Sequence, residues 1–437
     1  MVTTTDAGEQ RRGMIALAIS SLVVGAAAGL LGVMFRLALE RADTWRGRFI
    51  SYAHDESVVG FIALALAVST LTAFSAWLVK RFSPEASGSG IPHVEAVLRG
   101  DQRPATLVLL PVKFVGGVIA IGAGLALGRE GPIVQMGASL AHLIGKLFRR
   151  NARDCLVLVA AGAGAGLATA FNAPIAGAVF VLEELMRRFE TRTAVAALGA
   201  SAGAIVVARL MHGDAPDFAF AGHGVPGFPL LPAHLVLGAA LGLLGVAYCH
   251  AILFALAVSD RLAHWPVEAR AALIGALVGV LGWFAPDLVG GGDGLTQRAI
   301  DGSGILSGIV YVLLVRAVLG AVSYAAGTPG GLFAPMLVLG AQTGLAFGLL
   351  WHSVVDKTAD PADFAVVGMA AFFAAVVRAP VTGIVLVMEM TASFALLLPM
   401  LTACFSAMIV PIALGCLPIY DALGERLPRN RVDPQTR

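Results

Sequence analysis

Charge is what this chain has least of. Only 13% of its 437 residues are Asp, Glu, Lys or Arg, about half the roughly 25% usual in soluble domains. The charges nearly cancel, at a net +2, and no basic run carries interleaved aromatics, so a nucleic-acid partner is excluded. Cysteine is scarce too: Cys155, Cys249, Cys404 and Cys416 lie in apolar segments without metal-type spacing and read as small buried hydrophobes. The nine histidines are scattered, with no H-x-x-x-H pair. Neither a metal nor a cofactor is expected.

What fills the chain is apolar. Hydrophobic residues make up 58% of it, and the mean hydropathy is +0.84; this is an integral membrane protein. The N-terminus carries Arg11 and Arg12 before an apolar run. That run exceeds the 7–15 residues of a signal-peptide core, so it reads as a retained first membrane helix preceded by a cytoplasmic segment, 1–13. Apolar runs then follow one another from 14–40 to 395–416 with no soluble domain between them. Many are shorter than the roughly 20 residues needed to span a bilayer. They are broken by glycine and proline, as in GSGIP, GREGP, FNAPIAG, GTPGG and VRAPVTG. Broken helices at membrane depth survive only inside protein or along a watery cavity, which points to a channel or transporter core.

The chain repeats itself. FNAPIAGAVFVLEEL from Phe171 aligns with VRAPVTGIVLVMEMT from Val377 at an offset of 206, pairing Pro174 with Pro380, Gly177 with Gly383 and Glu183 with Glu389. GREGPIVQMGA from Gly128 aligns with GLFAPMLVLGA from Gly331 at an offset of 203, pairing Pro132 with Pro335 and Gly137 with Gly340. Two membrane repeats are therefore expected, 14–211 and 232–420, with a loop at 212–231 between them and a cytoplasmic tail at 421–437. Basic clusters at Lys80-Arg81, Lys146 to Arg153 and Arg187-Arg188-Arg192 put those ends, and both termini, in the cytoplasm. Inverted repeats are preferred because they bring matching half-helices to one midplane.

In GSGIPHVEAV, GREGPIVQMG and GGLFAPMLVLG, glycines and a proline precede an apolar helical run, the signature of a helix N-terminus. The first N–H groups of a helix lack internal partners and carry partial positive charge. Three such ends meeting at mid-membrane would make an anion site without a full positive charge, weak enough to release what it binds. Gly88, Gly90 and Pro92 shape the first of these ends, and Ser89 adds a hydroxyl.

Carboxylates inside membrane segments are functional candidates by default. Glu130 sits at an expected anion-attracting N-terminus: ionised it would occupy the anion's place, protonated it would swing away, making it gate and proton carrier at once. Glu183 and Glu184 end an apolar helix beside the basic cluster, and Glu183 could pair with Arg187 at i+4. Glu389 is the equivalent of Glu183, which favours a structural role there. Met390 stands where Glu184 would be, so Glu184 is the functional candidate. Arg129 would balance Glu130 or face an aqueous vestibule. The closely spaced glycines of AGAGAGLATA (161–170) read as close helix packing rather than a nucleotide loop.

The set GSGIP (88–92), GREGP (128–132), GGLFAP (330–335) and Tyr420 in CLPIYDAL, with PVKF, FNAP and the Glu183-Glu184 pair, resembles the CLC family of chloride channels and proton-coupled chloride transporters. The resemblance implies an all-α membrane protein of about 18 helices, many broken or tilted, in two inverted repeats, and a homodimer with one pore per subunit. It implies that Ser89 and Tyr420 donate hydroxyls to a central chloride beside the N–H groups of Leu332 and Phe333. It makes Glu130 the gate, the backbone of Arg129, Glu130 and Gly131 part of an outer anion site, and Glu184 the internal proton-transfer glutamate. Ser89, rather than the proline of nitrate-preferring members, favours chloride; fluoride-exporting members depart at GREGP, Phe333 and Tyr420. The short stretch after Tyr420 leaves no room for paired CBS domains and suggests a prokaryotic inner-membrane protein. His93, where relatives carry an acid, receives no role.

The function expected is electrogenic chloride/proton antiport, with a passive chloride channel as the alternative and no enzyme activity. An intramembrane serine hydrolase built on Ser89 would leave the repeat and the three half-helix motifs unexplained; its one nearby base, His93, lies on the same helix.

Overall fold

The computed structural model describes residues 4–222 and 227–428, with side chains from Arg11 onward. Parts of the expected N-terminal segment, of the inter-repeat loop (223–226) and of the tail (429–437) lie outside the described residues. Seventeen α-helices follow one another without a strand among the described residues. In chain order they are α1 (Thr4–Asp55), α2 (Ser57–Phe82), α3 (Ile91–Arg99), α4 (Leu109–Gly122), α5 (Glu130–Leu147), α6 (Ala152–Phe171), α7 (Pro174–Phe180), α8 (Thr191–His212) and α9 (Leu231–Arg261). The remainder are α10 (Val267–Phe284), α11 (Asp293–Ile300), α12 (Leu306–Tyr324), α13 (Phe333–Val354), α14 (Pro361–Val377), α15 (Pro380–Thr391), α16 (Leu397–Ala413) and α17 (Ile419–Gly424). Among the described residues, eight helices are long and apolar enough to cross a membrane.

Two helices differ from the expected pattern. The first runs unbroken for 52 residues rather than ending near residue 40, because backbone hydrogen bonding continues past the apolar run into RADTWRGRFISYAHD. The eight-residue α11, DGLTQRAI, has no apolar run to announce it.

The core is built by glycine-mediated approach. Gly137 of α5 lies against Gly162 of α6, and their equivalents Gly340 of α13 and Gly368 of α14 meet in the same way. A Cβ at any of the four would collide with the facing backbone, so each pair packs main chain on main chain, as small residues allow in membranes. Accordingly α6, the AGAGAG helix, is buried along nearly its whole length. Around these helices stand shorter ones. At nine residues, α3 covers less than half of a ~30 Å hydrocarbon layer; as expected of a half-helix it begins inside the protein, at the buried Ile91, and its last residue, Arg99, is exposed.

Candidate anion site and its flanking carboxylates

Three loops are sewn together where α3, α5 and α13 begin. Gly88 N–H donates to the Thr328 carbonyl (3.0 Å) and Gly330 N–H donates to the Gly88 carbonyl (3.1 Å). Gly128 and Gly331 exchange a reciprocal pair of bonds at 2.8 and 2.7 Å. Left-handed backbone at Gly88 (φ +63°) and Gly90 (φ +84°) turns the chain sharply into α3, which has Pro92 in its first turn. All three motifs read as helix N-termini from sequence therefore converge.

Ser89 and Tyr420 are fully buried; their hydroxyls approach each other, and neither has any other hydrogen-bond partner among the described residues. Ser89 Oγ lies against Gly131, where a Cβ would come within 2.5 Å of it. Tyr420, at the start of α17, stacks on Phe333 with ring centroids 6.1 Å apart. Around its hydroxyl stand Ser89, Tyr324, Glu130 and Glu184. Phe333 is itself packed by Phe171, Phe180 and Phe373, which fixes the first turn of α13 next to Leu332. Buried hydroxyls are ordinarily satisfied; two with no partner but each other, facing helix N-termini, form a cradle of neutral donors.

Glu130, the first residue of α5, is buried. Its carboxylate lies against Gly128 and Gly331, and the N–H of Ala334 in α13 is directed at it. A carboxylate thus occupies the mouth of two helix N-termini. Arg129 turns away from it: Nε donates to the Ala170 carbonyl (3.1 Å), while the guanidinium pairs with Asp217 and Asp293, each at 3.3 Å.

Glu184 lies on a π-helical turn, Val181–Leu185, that continues α7. Such turns recur at functional sites. Its equivalent stretch in α15 is plain α-helix, so the extra carboxylate and the altered winding occur together. Glu184 is buried, 3.6 Å from Arg187, and its carboxyl adjoins that of Glu95 on α3. Glu95 was not among the expected residues: its i+4 spacing to Arg99 resembles a surface pair, and Arg99 does hold it at 2.5 Å, yet Glu95 is buried. Asp421 links Arg99 (3.5 Å) and Arg187 (2.9 Å) around this pair.

Glu183 does not pair with Arg187 or Arg188. The helix ends before Arg187, which takes left-handed backbone (φ +50°), so the i+4 relation never forms. Instead Glu183 accepts hydrogen bonds from the N–H groups of Val381 (3.0 Å) and Thr382 (2.7 Å) at the start of α15.

Two cavities open on the face that carries Lys80 and Arg187. One, about 930 Å³, runs from Lys80, Arg270 and Arg426 past His93 to Gly88, Gly90 and Tyr324. The other, about 660 Å³, reaches Glu183 and Glu184 beside Arg187 and Asp421. A third, about 350 Å³, lies between them, sharing Pro92 and Gln102 with the first and Arg187 and Asp421 with the second.

Residues 71–411 match the family described as voltage gated chloride channel. The chain belongs to that family. Against the H(+)/Cl(-) exchange transporter ClcA of Vibrio cholerae serotype O1 it is 39% identical over 426 residues, covering 94% of this chain and 89% of that one. Against ClcA of Citrobacter koseri it is 36% identical over 420 residues, covering 94% and 88%. The crystal structure of a slow cyanobacterial Cl-/H+ antiporter superposes at a TM-score of 0.89 with 33% identity, covering 94% of this chain and 97% of that one. A eukaryotic CLC transporter, 23% identical with a TM-score of 0.81 and covering 95% and 75%, shares the fold. This member of the voltage gated chloride channel family is a multi-pass membrane protein and not an enzyme.

Proposed function

We propose that this chain exchanges chloride for protons across a prokaryotic inner membrane, electrogenically. One observation carries the reading: two buried hydroxyls, Ser89 and Tyr420, with no partner but each other, meet three helix N-termini, with the carboxylates of Glu130 and Glu184 as neighbours. Chloride binds between those hydroxyls and the N–H groups of Leu332 and Phe333, with the backbone of Arg129 to Gly131 forming an outer subsite. Helix-end donors attract an anion without holding it irreversibly. Glu130 is the gate. Ionised, it takes the anion's position at the α13 N-terminus; protonated, it loses that attraction and yields. Glu184 passes protons between Glu130 and the cytoplasm by way of the cavity that it lines beside Arg187 and Asp421. The homologous exchangers named above support the substrate pair.

The two repeats act as inverted halves, 14–211 and 232–420, with both termini cytoplasmic. Two such chains associate as a homodimer in the lipid bilayer, each with its own pore. Support for association comes from α7 and α15, both too short to span yet presenting Ile175 and Val381 outward, 56% and 52% exposed; a second copy would shield their ends from lipid.

The test is a proteoliposome carrying a chloride gradient under a potassium clamp, with chloride and proton movement recorded together. Exchange requires proton movement against its own gradient. Chloride flux without it would make the protein a passive channel.

A further inference from the structure

Lys113 of α4 is completely buried in the membrane core, and its ammonium donates to the carbonyls of Ala86 (3.0 Å) and Gly88 (2.7 Å). No carboxylate lies within ion-pair distance of it among the described residues. A lone ammonium at this depth is expensive, and two carbonyl dipoles only partly answer its charge.

The repeat explains where it sits. The offset that pairs Gly128 with Gly331 also pairs Lys113 with Arg316, a second buried cation, on α12. Arg316 donates to the carbonyls of Leu288 (3.0 Å), Gly290 (2.7 Å) and Gly291 (2.7 Å). Those residues lead into α11 as Ala86 and Gly88 lead into α3, and Gly290 and Gly292 repeat the left-handed backbone of Gly88 and Gly90. Each loop is also tied to the other half: Gly88 N–H donates to Thr328 (3.0 Å), and Gly290 N–H donates to Gly124 (2.7 Å). In both halves a buried cation grips the carbonyls of a glycine loop that is bonded across to the opposite repeat. The halves then diverge. Ser89 stands in one loop and Gly291 in the other, and Asp293 begins α11 where Ile91 begins α3.

We propose that Lys113 is a positioning residue for the anion site and the fixed positive charge that its neutral donors lack. One of its bonds holds the Ala86 carbonyl and the other the carbonyl of the Gly88–Ser89 peptide, which also accepts from Gly330, so one ammonium fixes the loop that carries Ser89 and its register with the α13 loop. With no acid to neutralise it, its counter-charge is the transported anion. Arg316 does the same holding for the second half through three carbonyls rather than two, but its loop lacks the hydroxyl and so builds no equivalent anion site. This assignment rests on the chloride site proposed above.

Isothermal titration of chloride into detergent-solubilised protein separates the two ideas. If the native chain binds no chloride, the site itself is wrong. If it does, Lys113→Gln, which keeps hydrogen bonding to the carbonyls but removes the charge, should weaken chloride binding about tenfold or more, given the cost of an unanswered buried charge. Lys113→Arg should stay within about threefold of the native affinity. A folded Lys113→Gln variant binding chloride with native affinity overturns the proposal. Where that variant fails to fold, Lys113→Arg decides: native-like affinity supports the charge role, and a folded protein that has lost chloride binding refutes it.

Discussion

Glu183 and Glu389 cap each other's repeat. Glu183 accepts the N–H groups of Val381 (3.0 Å) and Thr382 (2.7 Å) and the Thr382 hydroxyl (2.7 Å). Glu389 accepts those of Ile175 (3.0 Å) and Ala176 (2.8 Å) at the start of α7. Two short helices that cannot span the membrane are thus closed head to tail, each supplying the carboxylate for the other's unsatisfied donors.

Replacing either carboxylate by alanine strands two N–H groups in a water-poor setting. We expect Glu183→Ala and Glu389→Ala each to destabilise the fold by about 1–3 kcal/mol, seen as a lower midpoint in detergent unfolding. Chloride/proton coupling in the surviving protein should be retained, because neither group touches the hydroxyl cradle. Equal stability to the native chain would dismiss the capping role.

Glu130 and Glu184 should separate by what they leave running. Glu130→Gln puts a permanently neutral side chain at the α13 N-terminus, so chloride continues to move while protons stop. Glu184→Gln also stops protons but leaves Glu130 able to ionise, so chloride flux should remain sensitive to external pH only in the second variant. Paired chloride and proton electrodes over a pH series read both. A Glu130→Gln protein that still drives protons uphill would falsify its assignment as the gate.

What could be read in advance was local. GSGIP, GREGP and GGLFAP carry their own instructions, glycine for the turn and proline for the first helical turn, and all three appear as helix starts within a residue or two. The repeat was visible in pairs such as Gly137 and Gly340, where no Cβ fits against the facing helix; the matching Gly162 and Gly368 emerged only from the packing. What escaped depended on tertiary context. Glu95 looks like half of a surface i+4 pair until α3 is buried against the Glu184 turn. Glu183 looked like a partner for Arg187 until the π-turn ended the helix early. Asp217 lies in a proline-containing loop that says nothing of the two arginines it will meet.

Glu95 adjoins Glu184 closely enough for their protonation to be linked. Glu95→Gln should lower proton flux while chloride flux continues, and adding it to Glu184→Gln should reduce proton flux no further, the non-additivity expected of groups acting in one step. A double variant clearly slower in proton transport than Glu184→Gln alone would show that Glu95 serves a separate route or the fold at large.

Asp217 is the counter-ion at the other mouth. Its side chain is 4% exposed and bridges Arg36 (2.8 Å) to Arg129 (3.3 Å), while the neighbouring Phe218 N–H is anchored to the Met390 carbonyl (3.0 Å) and Ala219 N–H to Gln297 (3.0 Å). The inter-repeat loop is therefore strapped across the residues beside Glu130, and the buried Asp217 carboxylate joins the more exposed Glu40 and Asp293 in balancing the charge of two guanidinium groups. Asp217→Asn keeps the side-chain shape and uncovers that charge. Attraction of anions to this mouth should rise, raising initial chloride flux at low chloride about two- to threefold at low ionic strength and fading as added salt screens the field. Asp217→Glu should leave the flux near native. An Asp217→Asn effect of the same size at high and low ionic strength would mean that the loop had moved, and that the carboxylate acts by anchoring it rather than through its charge.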